Sequence, residues 1–255
     1  MSMTLEQAKE KLAKYGQEHV LKYYGELNEE EKQGILDQIE TTDMSILEAC
    51  KHKEDLAKKG VITPLAAMQL DEIEANREEF TATGIEAIRQ GKVAAVLLAG
   101  GMGTRLGSDN PKGMYNVGLT HELYIFECLI NNLMEVVHQA DSWIHLFVMT
   151  SDKNNDATIA FLKEHDFFGY NAEYVHFFKQ EMAAATDYEG KIYLEEKGKL
   201  STSPNGNGGW FISMKNNGML DIVHNEGIGS GPAAWCYHGL LDFPVAQLSG
   251  TAGTI

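Results

Sequence analysis

VAAVLLAGGMGTRLGSDNPKG, residues 93–113, decides how this chain is read. The first six residues are an uninterrupted apolar run, the form taken by a strand buried on both faces of a parallel sheet. The run ends in Gly100, Gly101 and Gly103, where absent side chains would let backbone N–H groups come close to an anion. Arg105 and Lys112 are the only cations between Leu97 and Gly113. A glycine-rich turn after a buried strand, flanked by two cations, suggests a cradle for a polyphosphate. Two familiar phosphate loops fail on spacing. In the P-loop pattern Ser108 stands where lysine is required, and in the dinucleotide pattern Leu106 stands where the third glycine is required.

Outward from this loop, strand-like and helix-like stretches alternate. Residues 124–139 read as a helix, 144–149 as a buried strand, 156–165 as a helix and 173–178 as a third strand. The alternation predicts an α/β fold with βαβ units and a mainly parallel sheet, whose ligands gather at the carboxyl ends of the strands. Upstream the texture is helical. Thr4 with Gln7 and Asn28 with Glu31 form two capping boxes ahead of apolar residues at helical spacing. A third helical stretch runs through Ile46, Leu47 and Cys50. A fourth covers 73–90, with an interruption near Gly84 and a stop at Gly91. The segments expected are a helical region over 1–91, a nucleotide-binding domain over 92–228 and a divergent tail over 229–255.

Composition restricts the partners. With 44% hydrophobic and 23% charged residues the 255-residue chain can bury a sizeable core. A formal charge of -16 opposes binding to nucleic acid or to an anionic membrane. Cys50, Cys128 and Cys236 are far apart and odd in number, as expected in a reducing cytoplasm. No apolar signal core opens the chain, and no run is long enough for a membrane span. The histidines, among them His121, His138, His165, His176 and His224, show no metal-ligand spacing and read as surface or core.

The string AGGMGTRLG followed by PKG resembles the signature of the eukaryote-type UDP-sugar pyrophosphorylases, which include the UDP-N-acetylglucosamine and UDP-glucose enzymes. The likeness continues through GMYNVGL (113–119), MTS (149–151), FKQ (178–180) and SPNGNGG (203–209). It implies a Rossmann-like nucleotidyltransferase domain preceded by a helical region, and a reaction joining UTP to a sugar 1-phosphate with Mg2+ balancing the charge of the departing pyrophosphate. By the same resemblance Leu98, Ala99, Gly100, Gly101, Gly103 and Thr104 would line the nucleotide. Arg105 and Lys112 would hold its phosphates and serve catalysis. Gln180 would read uracil, Gly206 would lie near the uridine, and Asn207 would donate to sugar hydroxyls.

The likeness fades after residues 224–228, where the resemblance calls for a strand ending in a metal-binding aspartate. The tail reads GSGPAAWCYHGLLDFPVAQLSGTAGTI, with Asp242 as its one acid. A core strand and the metal aspartate are therefore expected to be missing, leaving exposed strand edges and a truncated chain. Two readings follow: an enzyme making UDP-N-acetylglucosamine or UDP-glucose, and a non-catalytic nucleotide-binding fragment. A dinucleotide-dependent oxidoreductase is disfavoured by the failed glycine spacing and by the basic pair Arg105 and Lys112.

Overall fold

Capping chemistry starts the first two helices where the sequence places it. The structure, a computed structural model, describes residues 3–45, 47, 63, 64, 67–226 and 228 and the backbone of 235–239. These residues form two compact units, 1–65 with 182–205 and 66–181 with 206–255. The cuts fall elsewhere than at residues 91 and 228.

In the first unit, helix α1 (Leu5–Tyr15) opens with both halves of the Thr4–Gln7 capping box in place. Helix α2 (Glu29–Thr41) opens in the same way with Asn28 and Glu31. Each cap satisfies orphan N–H groups and contributes about 1 kcal/mol. Ala8, Leu12, Ile35 and Ile39 are fully buried in a core shared with Ile192 and Leu200 from the second chain piece. Gln17 sits in this core. Its amide donates to Gly190 O at 2.8 Å and accepts from Ile192 N at 3.0 Å, across 173 and 175 residues of chain. The second piece supplies small antiparallel ladders. The third expected helix lies outside the described residues apart from Leu47, which is buried.

In the second unit, helices α3 (Leu70–Ala75) and α4 (Arg77–Arg89) break at Asn76, which corrects the expected interruption near Gly84. Asn76 Nδ2 donates to Glu72 O at 2.8 Å and so ends the first helix locally. Gly84 stays inside α4, where the entropic cost of an exposed glycine is only ~1 kcal/mol. Gly91 supplies the left-handed stop, with φ +67°.

Strands β1 (Ala94–Leu98), β2 (His145–Thr150) and β3 (Val175–Lys179) alternate with helices α5 (Ile125–Ala140) and α6 (Asn155–Glu164). Short strands β4 (Met182–Ala184), β5 (Leu194–Glu196), β6 (Lys199–Leu200) and β7 (Thr202–Pro204) belong to the first unit and pair β4 with β7 and β5 with β6. Helices α7 (Trp210–Asn216) and α8 (Met219–Asn225) follow, and then strand β8 (Trp235–Gly239). The main sheet runs β3-β2-β1-β8, with every neighbouring pair parallel.

Both faces of the sheet are covered, which explains the unbroken apolar strands. Ala95, Leu97, Leu146 and Val148 face Phe126, Ile130 and Leu133 of α5. Ala94, Val96, Leu98, Phe147 and Met149 face Met214 of α7 and Val223 of α8. Each large side chain buried in this way contributes roughly 1.5–3 kcal/mol.

The tail corrects one expectation. Residues 235–239 do form a strand, in register with the whole of β1, Ala94 opposite Trp235 and Leu98 opposite Gly239. The slot beside β1 offers a row of backbone partners, so a short stretch with no clear pattern of its own pairs there. The β1 edge that was expected to lie open is occupied. Asp242 lies outside the described residues.

Candidate functional site

Strand order reverses at β1, with β2 and β3 on one side and β8 on the other. The crevice beyond the carboxyl end of such a strand is where open parallel sheets hold ligands. The glycine-rich loop begins there. Ala99 N–H extends the β1–β2 ladder by donating to Met149 O at 2.7 Å, and the chain then leaves the sheet.

The loop returns on itself as a ladder. Lys112 N–H donates to Gly101 O at 3.1 Å and Gly103 N–H to Asn110 O at 2.8 Å. Leu106 N–H closes on Gly103 O at 2.7 Å, and Gly107, with φ +72°, turns the chain in a conformation that favours glycine. Two of the three expected glycines are needed for different reasons, and the third is open. A β-carbon on Gly103 would meet Asn110 O at 3.0 Å and Ser108 Cβ at 3.1 Å, so that glycine allows the loop to close. A β-carbon on Gly100 would meet Gln180 Nε2 at 2.5 Å. At Gly101 nothing lies within 4 Å, so that position alone is open. Among the described residues the N–H groups of Gly100, Gly101 and Met102 have no hydrogen-bond partner. Consecutive donors of this kind can form an anion-binding concavity where the backbone turns.

Gln180 extends the β2–β3 ladder through its N–H, which donates to Thr150 O at 2.8 Å. The residue is buried beside Gly100, and no described residue hydrogen-bonds its amide. Its neighbour is tied to α7: Glu181 N–H donates to Ser213 Oγ at 3.1 Å, and Asn216 Nδ2 bonds the Glu181 carboxylate. Lys179 pairs with Asp152 at 3.2 Å across the ends of β3 and β2, in an exposed position where such a pair contributes little.

Leu98 and Ala99 are buried, and the Leu98 side chain belongs to the sheet core, so these residues reach the crevice by backbone only. Thr104 and Arg105 lie exposed on the turn at the loop's tip. Lys112 is half-buried and starts a short 3-10 turn ending at Met114. Gly113, inside that turn, is buried with its α-carbon against the Phe126 ring, which fixes the return limb of the loop on α5. Gly206, with φ +83°, and Asn207 are exposed at the turn leading into α7. Neither hydrogen-bonds the glycine-rich loop among the described residues.

Residues that sequence reasoning missed hold the loop from behind. Asn154, between β2 and α6, donates from Nδ2 to Ala99 O at 2.8 Å and Gly101 O at 3.3 Å. Its Oδ1 accepts from Ser151 N at 2.8 Å and Ser151 Oγ at 3.0 Å. Thr150 Oγ1 bonds Asn155 Oδ1 at 2.7 Å, which fixes the start of α6.

Among the described residues no group of three or more His, Cys, Asp or Glu converges as a metal site. The position level with Leu98 on the neighbouring strand is Gly239, which offers no carboxylate. The described residues do not by themselves fit a protein-held magnesium ion; an ion of that kind takes most of its ligands from water and substrate phosphate. Burial pushes the Cys128 thiol up, away from the reactive thiolate range. No described helix is long and apolar enough to cross a membrane.

Residues 36–230 match the family described as UTP–glucose-1-phosphate uridylyltransferase. UDP-N-acetylglucosamine diphosphorylase 2 of Arabidopsis thaliana is 32% identical over 238 residues, which cover 86% of this chain and 47% of that protein. UDP-N-acetylglucosamine pyrophosphorylase of Saccharomyces cerevisiae is 33% identical over 232 residues, covering 84% and 49%. The crystal structure of the uridine diphosphate N-acetylglucosamine pyrophosphorylase from Trypanosoma brucei, in complex with inhibitor, aligns with a TM-score of 0.71 at 25% identity, covering 89% and 50%. The chain spans about half the length of the curated relatives it matches.

Proposed function

This chain belongs to the UTP–glucose-1-phosphate uridylyltransferase family, and from that premise we propose that it binds UTP in the glycine-rich loop and takes part in uridylyl transfer to a sugar 1-phosphate. In that reaction a phosphate oxygen of the sugar 1-phosphate attacks the α-phosphorus of UTP. The bond from that phosphorus to the bridging oxygen breaks, and pyrophosphate leaves with the electron pair. Positioning and charge stabilisation supply most of the rate in such a step.

The observation that carries this reading is the run of N–H groups at Gly100, Gly101 and Met102 with no partner among the described residues, beside the buried residue Gln180, whose amide no described residue hydrogen-bonds. Those donors meet phosphate oxygens. Leu98, Ala99, Gly103 and Thr104 shape the same loop around the nucleotide. Arg105 and Lys112 hold the triphosphate and stabilise charge on the departing pyrophosphate. The Gln180 amide offers a donor and an acceptor to the imide edge of uracil. Gly206 lies by the uridine, and Asn207 donates to the sugar. Magnesium, when bound to the substrate phosphates, neutralises part of their charge. The named relatives favour N-acetylglucosamine 1-phosphate over glucose 1-phosphate, and a cytoplasmic setting accords with the widely spaced cysteines.

A second reading, UTP binding without turnover, draws support from Gly239 at the end of the strand beside Leu98, where the resemblance calls for an aspartate. Titration with UTP, followed by pyrophosphate release with magnesium and either sugar phosphate, separates the two. Turnover lost in Arg105→Ala supports the enzyme; binding without turnover supports the second reading. No UTP binding at all overturns both.

A further inference from the structure

Asn154 is a polar side chain only 1% exposed, and its amide is fully engaged. A buried carboxamide with both ends satisfied is a fixed point, since releasing either end leaves an orphaned polar group. Its two acceptors, Ala99 O and Gly101 O, belong to alternate peptides of the glycine-rich loop, 55 and 53 residues away along the chain. In a trans peptide the carbonyl of one residue and the N–H of the next point in opposite directions. Turning the Ala99 and Gly101 carbonyls toward Asn154 therefore turns the Gly100 and Met102 N–H groups away from it. Neither of these two donors has a partner among the described residues.

We propose that Asn154 is a positioning residue: its amide holds two peptides of the loop in the one orientation that presents the Gly100 and Met102 N–H groups to phosphate. The inference rests on reading the loop as the UTP phosphate cradle. A flip of either peptide replaces a donor with a carbonyl oxygen facing a polyanion. Glycine lowers the barrier to such flips; Lys112 N–H also holds the Gly101 carbonyl at 3.1 Å, so the Ala99 peptide depends most on Asn154. Ser151 completes the clamp by fixing which end of the amide faces the loop.

The test uses the whole chain with Asn154→Asp, which keeps the size of the side chain and its acceptor for Ser151 but sets a carboxylate against two carbonyl oxygens. At about pH 8 the hydrogen-bonded loop amides of Gly103 and Lys112 are expected to exchange roughly tenfold faster than in the wild type, while β1 and β2 amides are unchanged. UTP affinity falls about tenfold in parallel. Lowering the pH toward about 5.5 protonates the introduced carboxyl, restores one donor and narrows the gap to the wild type measured at the same pH. A residue that only supports the fold would lower the urea midpoint without loop-specific exchange or recovery on acidification. Ser151→Ala, a milder change, is expected to shift loop exchange in the same direction by a few-fold. Loop exchange at the wild-type rate in both variants overturns the proposal, as does unchanged UTP affinity in Asn154→Asp. Should the wild type bind no UTP, the nucleotide reading fails, and the exchange measurements alone decide the positioning role.

Discussion

The Gln180 carboxamide occupies the space that a side chain on Gly100 would need: a β-carbon at position 100 would stand 2.5 Å from Nε2 and 2.8 Å from Cδ. The end of β3 and the loop after β1 are thereby matched in shape. The base-reading group and the first loop donor of the proposed site belong to one contact.

Gly100→Ala should therefore act on base selectivity. Gln180 is displaced, its bonds to the uracil edge are lost, and the preference for UTP over CTP falls by roughly 5- to 100-fold, the equivalent of ~1–3 kcal/mol. Gly101→Ala meets nothing within 4 Å in the free protein, so thermal stability should hold while affinity for both nucleotides drops together. Competition calorimetry with the two nucleotides checks both. Unchanged selectivity in Gly100→Ala would detach Gln180 from base reading.

Gly113→Ala should act on stability instead. Its β-carbon would overlap the Phe126 ring, which is fully buried between α5 and the sheet and has nowhere to go. Overpacking of this kind costs ~1–3 kcal/mol, read as a lower urea midpoint at unchanged slope.

Tyr170 donates its hydroxyl to Ile144 O at 2.5 Å in a buried position at the start of β2. Tyr170→Phe leaves that carbonyl unpaired and should cost about 1–3 kcal/mol in urea unfolding. Burial pushes the phenol well above the usual tyrosine range. The folded state thus favours the neutral form; this contribution is intact below about pH 10 and declines as the pH rises beyond it. The variant should flatten that alkaline decline.

His145 and His176 face each other across β2 and β3, Nδ1 to Nε2 at 2.9 Å, with Tyr174 and Phe147 packed on their rings. Burial pushes both imidazoles down, their mutual repulsion adds to the effect at His176, and Glu226 opposes it at each. Folding favours the neutral rings, so their contribution is full above about pH 6.5 and is lost as the pH falls through the depressed folded values. His176→Gln should reduce the fall in urea midpoint between about pH 7.5 and 5. An unchanged slope would assign that fall to other groups.

Much of this fold was legible because its signals are local. The capping boxes Thr4–Gln7 and Asn28–Glu31 each lie within four residues, and an apolar run such as 93–98 states its own burial. Asn76 was missed as the helix break although its bond to Glu72 O is local, because Gly84 carried the stronger propensity signal. Strand β8 was missed because its pairing is supplied by β1, far away in the chain. The site divides in the same way. The glycines and cations stand in one stretch, and the resemblance supplied their expected roles. Asn154 reads as an ordinary loop asparagine until its partners at 99 and 101 are known.

The buried Gln17 has a consequence for synthesis of the chain. Two of its amide partners, Gly190 O and Ile192 N, lie 173 and 175 residues further along, so until they are made a nascent chain carries the α1–α2 helices with only Tyr15 O, at 3.3 Å, to bond that amide. The N-terminal helices can collapse early, but they cannot close tightly around Gln17 until the distant hairpin leaves the ribosome. These two helices therefore reach their final packing later than their own synthesis. Pauses in translation before residue 190 would prolong exposure of an apolar face to chaperones and to neighbouring nascent chains.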